Sequence, residues 1–306
     1  MVICMNISYD SYRIFYHAAK FQGFTQAAGV LGSSQSNVTR SIRNLEAALG
    51  CKLFVRSNRG ARLTPEGEKL YGHIALAFQH IQAGEDELAS RQGLQSGVVT
   101  VAASEIALRC CLLPVLRDYR ARYPGVRIRV SNHSTPQAID VLRSGLADFA
   151  VVTAPQHLPK TLRRRRLMAV QDVPVAGAAF AHLRGRTLTL GELVRLPLVG
   201  LGPRTATYDF YHQFFSAEGL SFRPDIETAT ADQILPMVKS GLGVGFVPEE
   251  LVREDVLTGN LFAIALEKAA PRRSVCLLQQ EDQPLSVAAR ELERMLTAGS
   301  GRKPPL

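Results

Sequence analysis

Apolar residues recur along this chain with two different periods. The first ninety residues repeat at helical spacing, and the rest alternates short apolar runs with helical stripes. A first helix is predicted from about Ser8 to Gln22, with Tyr12, Phe15, Tyr16 and Ala19 inward, His17 at its surface or edge, and Phe24 joining the same core. From Thr25 to Leu49 the pattern gives two helices and a tight turn. Thr25 can cap the first, which packs through Ala27, Ala28 and Leu31, and Gly32 supplies the turn. Ser34 can cap the second by accepting an orphan backbone N–H. In that second helix Val38, Ile42, Leu45 and Leu49 share one sector, and Ser36, Arg40 and Arg43 lie opposite. An ordinary helical hairpin in a core would show the same apolar stripe. The adjoining stretch argues for more. Leu53–Val55 is a short apolar strand, the stretch from Arg56 through Arg59 to Arg62 is a basic hairpin tip, and Leu63-Thr64 closes a wing.

Thr64-Pro65-Glu66 then opens a long helix, because threonine caps, proline is tolerated at the first position, and Glu66 and Glu68 favour the positive helix end. Leu70, Ile74, Ala77, Phe78, Ile81 and Leu88 carry its stripe to about Arg91, a length of roughly 40 Å at 1.5 Å per residue. A small winged domain cannot bury all of that, so the helix should pair with a second copy. The competing expectation is a helix packed on its own domain. Gly72 and Gly84 each weaken it by about 1 kcal/mol relative to alanine. His73 and His80 lack a third ligand and read as surface residues.

Beyond the polar hinge Gln92–Gly97, strands and helices alternate as in an α/β sheet. Strands are predicted at Val98–Ala102, Val126–Val130 and Asp148–Val152. A helix from Ile106 to about Arg122 carries Leu112, Leu113, Leu116 and Tyr119 inward, and another spans Pro136–Ser144. A second subdomain is expected to begin near Thr161. There Leu162–Leu167 contains four consecutive arginines, Arg163–Arg166, better read as a solvated strand edge with acidic neighbours than as a nucleic-acid site. Short strands come next at Pro174–Gly177, Pro197–Gly200 and Ile226–Thr228, with helices at Tyr208–Ala217 and Gln233–Ser240. Gly241, Gly243 and Gly245 lie after a helix and before a strand, the reverse of a dinucleotide loop, and read as a helix stop and strand entry. The chain should return to the first subdomain near Leu261–Leu266, with a strand at Val275–Gln279 and a last helix at Val287–Leu296.

Charge sharpens this picture. Eight Lys and Arg against two acidic residues in the first 64 positions leave +6 of the whole-chain +9. The excess lies where a phosphate backbone would, the footprint of a nucleic-acid binder. The 306 residues allow two or three folding units. No apolar run approaches bilayer length, and Met1–Met5 is too short for a signal peptide, so a cytoplasmic protein without membrane contact is expected. Cys4, Cys51, Cys110, Cys111 and Cys276 are odd in number and lack metal spacing, which suits reduced thiols. Cys110-Cys111 reads as core filling on a helix, with a redox or thiol-responsive role as the alternative. No phosphate loop, serine elbow, paired carboxylate or His-Glu metal motif stands in the chain, so no cofactor, metal or catalysis is expected.

The run from Phe24 to Gly67 resembles the N-terminal winged helix-turn-helix of LysR-type transcriptional regulators. Ala27-Ala28, Leu31, Ser34-Gln35, Ile42, Leu45-Glu46, Leu49-Gly50, Leu53-Phe54, Arg56, Leu63-Thr64 and Gly67 carry the likeness at fixed spacing. Ser36 departs from it, standing where the family often has proline. The segment ending in Leu142–Val152 resembles the family's effector domain. The resemblance implies an α/β chain. Residues 1–64 would form a winged helix-turn-helix and 65–92 a linker (dimerisation) helix. Residues 93–306 would form a two-subdomain α/β effector-binding domain of periplasmic-binding-protein type, with subdomain I at about 98–160 and 267–298 and subdomain II at about 161–266. It implies double-stranded DNA, a small-molecule effector and a homodimer or homotetramer as partners.

Candidate DNA-binding residues are Thr25, Ser34, Gln35, Ser36, Asn37, Thr39, Arg40, Arg43, Arg56, Arg59 and Thr64. Strand C-terminal ends opening on a cleft give the effector candidates: Ser104, Ser134, Thr135, Arg204, Thr205, Thr230, Phe246 and Val247, with Thr207 in the same loop. Hydroxyls and free N–H groups at helix starts favour a small organic anion, although each hydroxyl is also a plain cap candidate. Glu105 is adverse to an anion if it points inward. A stand-alone solute-binding protein would need a signal peptide and no basic head, and an enzyme would need a catalytic constellation.

Overall fold

The computed structural model describes residues 7–57, 60–89, 96–155 and 157–298. Contacts divide the chain into two compact units, one holding Met1–Gly84 and the other most of Glu85–Leu306.

In the first unit α1 (Tyr9–Lys20), α2 (Phe24–Leu31) and α3 (Gln35–Leu49) precede a two-stranded wing, β1 (Phe54–Ser57) and β2 (Gly60–Leu63), and α4 (Pro65–Ala89) comes after it. Ser8 caps α1 and Ser34 caps α3, and Gly32 and Gly50 end α2 and α3 in left-handed conformation. The cap of α2 is Gly23, not Thr25. The helix starts earlier because Phe24 is drawn into the core, its ring edge-on to Phe54 at 5.2 Å. Phe15, Ala18, Val38, Ile42, Leu45 and Leu53 form the centre of that core. His17 is half-buried at the edge of that core, with rings of Tyr16 and Phe21 5.2 and 6.1 Å away.

The helix α4 is split in its loyalties. Tyr71 and Ala75 are buried in the winged unit, Leu70 and Ile74 pack against it, and Phe78 stacks on Tyr16 at 4.6 Å and Tyr9 at 5.4 Å. The first half of the stripe is therefore used at home, and Ile81 stays 41% exposed. The side chain of Leu88 and all of Arg91, like the residues of the hinge between 90 and 95, lie outside the described residues.

The second unit carries two five-stranded sheets. One has the order β4-β3-β5-β14-β6 and uses β3 (Gly97–Ala103), β4 (Val126–Asn132), β5 (Phe149–Thr153), β6 (Leu162–Val170) and β14 (Arg273–Gln280). Here β3 runs parallel to β4 and β5, and β14 runs antiparallel to β5 and β6. Its faces are covered by α5 (Glu105–Ala107), a π turn (Leu108–Leu112) and α6 (Leu113–Arg122), by α7 (Thr135–Arg143), and by α12 (Val287–Ala298).

The other sheet has the order β10-β9-β11-β7-β12, with β7 (Asp172–Ala176), β9 (Leu198–Leu201), β10 (Ile226–Thr228), β11 (Val244–Pro248) and β12 (Phe262–Ala263). A two-stranded ladder pairs β8 (Thr187–Leu188) with β13 (Ala265–Leu266). Around them lie α8 (Leu190–Leu193), α9 (Ala206–Ser216), α10 (Ile234–Lys239) and α11 (Glu249–Leu257).

Three expectations change. The subdomain boundary is at Gln171, not near Thr161, because β6 pairs with β14 across its whole length and belongs to the first sheet. The return comes at Arg273 rather than near Leu261–Leu266, since β12 pairs with β7 and β13 with β8 in the second subdomain. Leu113 is 50% exposed while Leu112 and Tyr119 are fully buried, because the π turn inserts an extra residue and rotates the stripe beyond it. Arg163–Arg166 do form an exposed edge strand, where Arg163 meets Glu281 at 3.2 Å and Arg165 meets Glu293 at 3.7 Å. Gly241 ends a helix at φ +77°, and a Cβ on Gly245 would lie 2.6 Å from Ile234 Cγ2, so these glycines serve a turn and close helix–strand packing. No helix among the described residues is long and apolar enough to cross a membrane, and no group of His, Cys, Asp or Glu there could hold a metal.

Candidate functional sites: a recognition helix and a ligand cleft

In the winged unit α3 turns its apolar side to the core and leaves Gln35, Ser36, Asn37, Arg40 and Arg43 exposed, with Thr39 half-buried. Ser34 Oγ accepts from Asn37 N at 3.2 Å and lies 2.9 Å from Ser36 Oγ. Arg40 donates to Asn37 Oδ1 at 3.3 Å, the one hydrogen bond of its guanidinium among the described residues. Serine at 36 thus adds a hydroxyl to the start of the helix.

Thr25 is exposed on α2 and does not cap it, which leaves its hydroxyl at the surface. Thr64 is 9% exposed, donates to Lys52 O at 2.6 Å and accepts from Gly67 N at 3.0 Å, so its hydroxyl is spent on the start of α4. Arg56 stands in β1 with its side chain outside the described residues, and Arg59 lies outside them entirely.

One residue of the family pattern proves structural. Glu46 is buried under α3 and accepts from Leu53 N at 2.9 Å, Phe54 N at 3.3 Å and Lys52 Nζ at 2.9 Å. Burial alone would raise its carboxyl; the bonds from Lys52, Leu53 and Phe54 overcome that and hold it below the usual carboxylate range. The carboxylate ties the recognition helix to the root of the wing.

The cleft lies between the two sheets of the second unit, as a narrow recess with a cavity volume of about 40 Å³. Ser104, Ser134, Thr135, Thr205 and Thr230 all line it, as do Asn132, His133, Thr153 and Thr207. Most of these hydroxyls are already engaged. Ser104 Oγ accepts from Thr153 N at 3.3 Å. Thr135 Oγ1 donates to Thr153 O at 3.1 Å. Thr205 donates to Gly202 O at 3.0 Å and accepts from Tyr208 N at 3.1 Å, the cap of α9.

Phe246 and Val247 line an adjoining lobe that shares Glu105, Ile106, Thr207 and Ala231 with the first. Arg204 lines neither lobe; it is exposed, at a strained φ of +70°. Glu105 does face the cleft. Burial and then Asp232 raise its carboxyl, against Arg109 and a 2.9 Å hydrogen bond from Asn132 Nδ2. Burial likewise lowers His133. Asn132 and His133 were missed because β4 extends past Val130 to pair with β3 as far as Ala103, which carries them to the cleft rim.

Cys110 and Cys111 sit in the π turn. Burial, then Glu250 and Asp172, push the Cys110 thiol up to about 12, and burial pushes Cys111 up to about 11. A reactive thiolate needs the opposite shift.

Comparison with known proteins is decisive for the family. Residues 92–300 match the LysR substrate binding domain, and residues 9–68 match the bacterial regulatory helix-turn-helix protein of the lysR family. The chain belongs to the LysR family. This LysR-family chain is a DNA-binding transcriptional regulator with an effector-binding domain. It is 29% identical over 261 residues to the HTH-type transcriptional regulator BbuR of Bordetella bronchiseptica, covering 84% of this chain and 79% of that one. It is 27% identical to YofA of Bacillus velezensis, covering 94% and 96%. Among solved structures, a full-length OxyR variant from Pseudomonas aeruginosa superposes with TM-score 0.76 at 20% identity, covering 96% and 95%. CbnR in complex with its target DNA gives 0.66 at 16%, covering 95% and 99%. At such identities these two show the fold.

Proposed function

We propose that this regulator reads an operator through the exposed face of α3 and changes that reading when a small organic anion occupies the cleft. The observation that carries the DNA half is the face of Gln35, Ser36, Arg40 and Arg43, set over a fully buried stripe of Val38, Ile42 and Leu45. Arginine on such a helix matches the paired acceptors of guanine in the major groove, and the wing supplies phosphate contacts through Arg56 and Arg59. The anion half is supported by the starts of α7 and α9, whose partial positive charge opens on the cleft beside Ser134, Thr135, Thr205 and Thr230, and it is opposed by Glu105, which faces the same recess. The cytoplasm, where chromosomal DNA lies, is its proposed place.

A homodimer, and a tetramer built from it, is proposed through the second half of α4. Ile81 is exposed there, whereas Ile74 already packs on the winged unit. Ile81→Glu should therefore abolish self-association in sedimentation without unfolding the head, and an unchanged oligomer would place the contact elsewhere.

The whole reading is tested by selecting duplexes from a fragmented genome with the full chain, then footprinting with and without a panel of small carboxylates. Protection of paired half-sites on one DNA face, altered by at least one acid, is the expected result. Binding no tighter than to random duplex would sink the operator assignment, and a footprint indifferent to every acid would sink the anion.

A further inference from the structure

Arg273 opens β14, and its backbone stands in register with Val170 in the first sheet. Its side chain leaves that sheet altogether. The guanidinium pairs with Asp172, donates from Nη1 to Thr207 Oγ1 at 2.9 Å, and lies over the rings of Phe210 and Tyr211 at 5.4 and 5.8 Å. Asp172 stands in β7 and the other three in α9, so all of these partners belong to the second subdomain. Tyr211 donates its hydroxyl to the same carboxylate oxygen that Arg273 holds. The Asp172 side chain is 0% exposed and that of Arg273 6%.

The position of this cluster is as telling as its chemistry. The chain passes between the subdomains at Gln171 and again just before Arg273. One member of the pair comes right after the first crossing, and the other ends the second. Gln171 Nε2 adds a third tie, donating to Ala270 O at 2.7 Å.

A buried ion pair is a poor source of net stability, because desolvation offsets attraction and apolar residues of equal volume do as well. Here the satisfaction is also incomplete: Asp172 Oδ1 and Arg273 Nε have no partner among the described residues. What the pair does supply is direction, since only one arrangement of the subdomains meets all of its bonds. Thr207 is the member that reaches the cleft, where it lines both lobes. Its oxygen already accepts from Arg273, so its own proton is turned to another acceptor.

We infer that Arg273 is a positioning residue, a latch that pins the two crossings together, sets the separation of the cleft walls, and presents the Thr207 hydroxyl to the cleft as a donor. A ligand acceptor at Thr207 is then two hydrogen bonds from the second crossing, at Arg273, and one ion pair further from the first, at Asp172. That last consequence rests on the proposed role of the cleft; the latch itself is tested without any ligand.

The test is pulsed electron–electron distance measurement on the full chain, with spin labels on non-cysteine handles at Arg117 and Arg253, diluted with unlabelled chain to suppress distances between copies. Arg273→Lys and the double variant Asp172→Leu, Arg273→Met should each roughly double the width of the distance distribution, and Thr207→Val should broaden it less. Thr228→Val, which removes only bonds inside the second subdomain, to Gly200 O and Thr230 O, should keep the parent width. Parent widths in both Thr207→Val and the double variant would overturn the latch, even if Arg273→Lys fails to fold. A cleft indifferent to all carboxylates, with the distributions still broadened, would remove the anion and leave the latch standing.

Discussion

The recognition helix and the cleft spend their polar groups in opposite ways. On α3, Gln35, Ser36, Arg40 and Arg43 stand exposed, and the one buried charge, Glu46, works inward on the wing root. In the cleft the hydroxyls of Ser104, Thr135 and Thr205 are bound to nearby backbone groups and that of Thr207 to Arg273. A surface that must meet a long, charged polymer keeps its donors unspent. A pocket that must hold one shape for a small molecule fixes its donors first, and discriminates by the few valences left over.

The largest effect should come from taking away half of the buried pair. Arg273→Met leaves Asp172 and the Tyr211 hydroxyl without their cation, at a cost of about 3–5 kcal/mol. Calorimetry should show the effector unit melting earlier and the winged unit unmoved. A shift of both together would mean the two regions do not fold as separate accounts of polarity.

Glu46→Leu comes next, because it strips two buried amides of their acceptor, at about 2–4 kcal/mol in the winged unit alone. In the parent the contribution of Glu46 is complete above the ordinary carboxylate value of about 4.3 and fades as pH falls through its lowered folded value. A head transition whose acid sensitivity is the same in parent and Glu46→Leu would contradict this.

Arg40→Ala should cost about 1–3 kcal/mol on the selected operator and less on random duplex. Equal losses on both would make Arg40 a phosphate contact and blur the contrast between the two regions. The smallest effect is expected at Cys110 and Cys111. With thiols raised to about 12 and 11, alkylation by iodoacetamide at neutral pH should be far slower than at a model thiol, and Cys110→Ser should leave the footprint unchanged. Rapid labelling at either would revive a thiol sensor.

The winged unit was the more legible region because its determinants are local. Ser34 and Asn37 are three residues apart, Gly32 ends its own helix, and the stripe of α3 is readable at one period. Thr25 failed because the ring of Phe24 moved the helix start, a tertiary effect on a local signal. The cleft depends on distant pairs. Thr135 answers to Thr153, and Thr207 to Arg273, and nothing in either neighbourhood announces its partner. Topology still brought Ser104, Thr205 and Thr230 to one recess, since strand ends and helix starts can be placed without knowing side-chain bonds. It misplaced Arg204, whose backbone conformation turns with the loop rather than with the sheet.

The π turn at Leu108–Leu112 has a genetic corollary. One rod begins by turning Glu105 and Ile106 to the cleft and ends by donating the Tyr119 hydroxyl to Ala288 O at 2.9 Å. An unbroken α-helix of the same length could not aim both ends so; the surplus residue acts as a vernier between them. Loss of a single codon within that turn would remove the surplus residue, let the rod close as an unbroken α-helix and leave Leu113 and Tyr119 aimed as they are. The same loss in an unbroken helix such as α12 would swing every later side chain by about 100°. Single-codon deletions should therefore be more common among functional variants in the π turn than in α12.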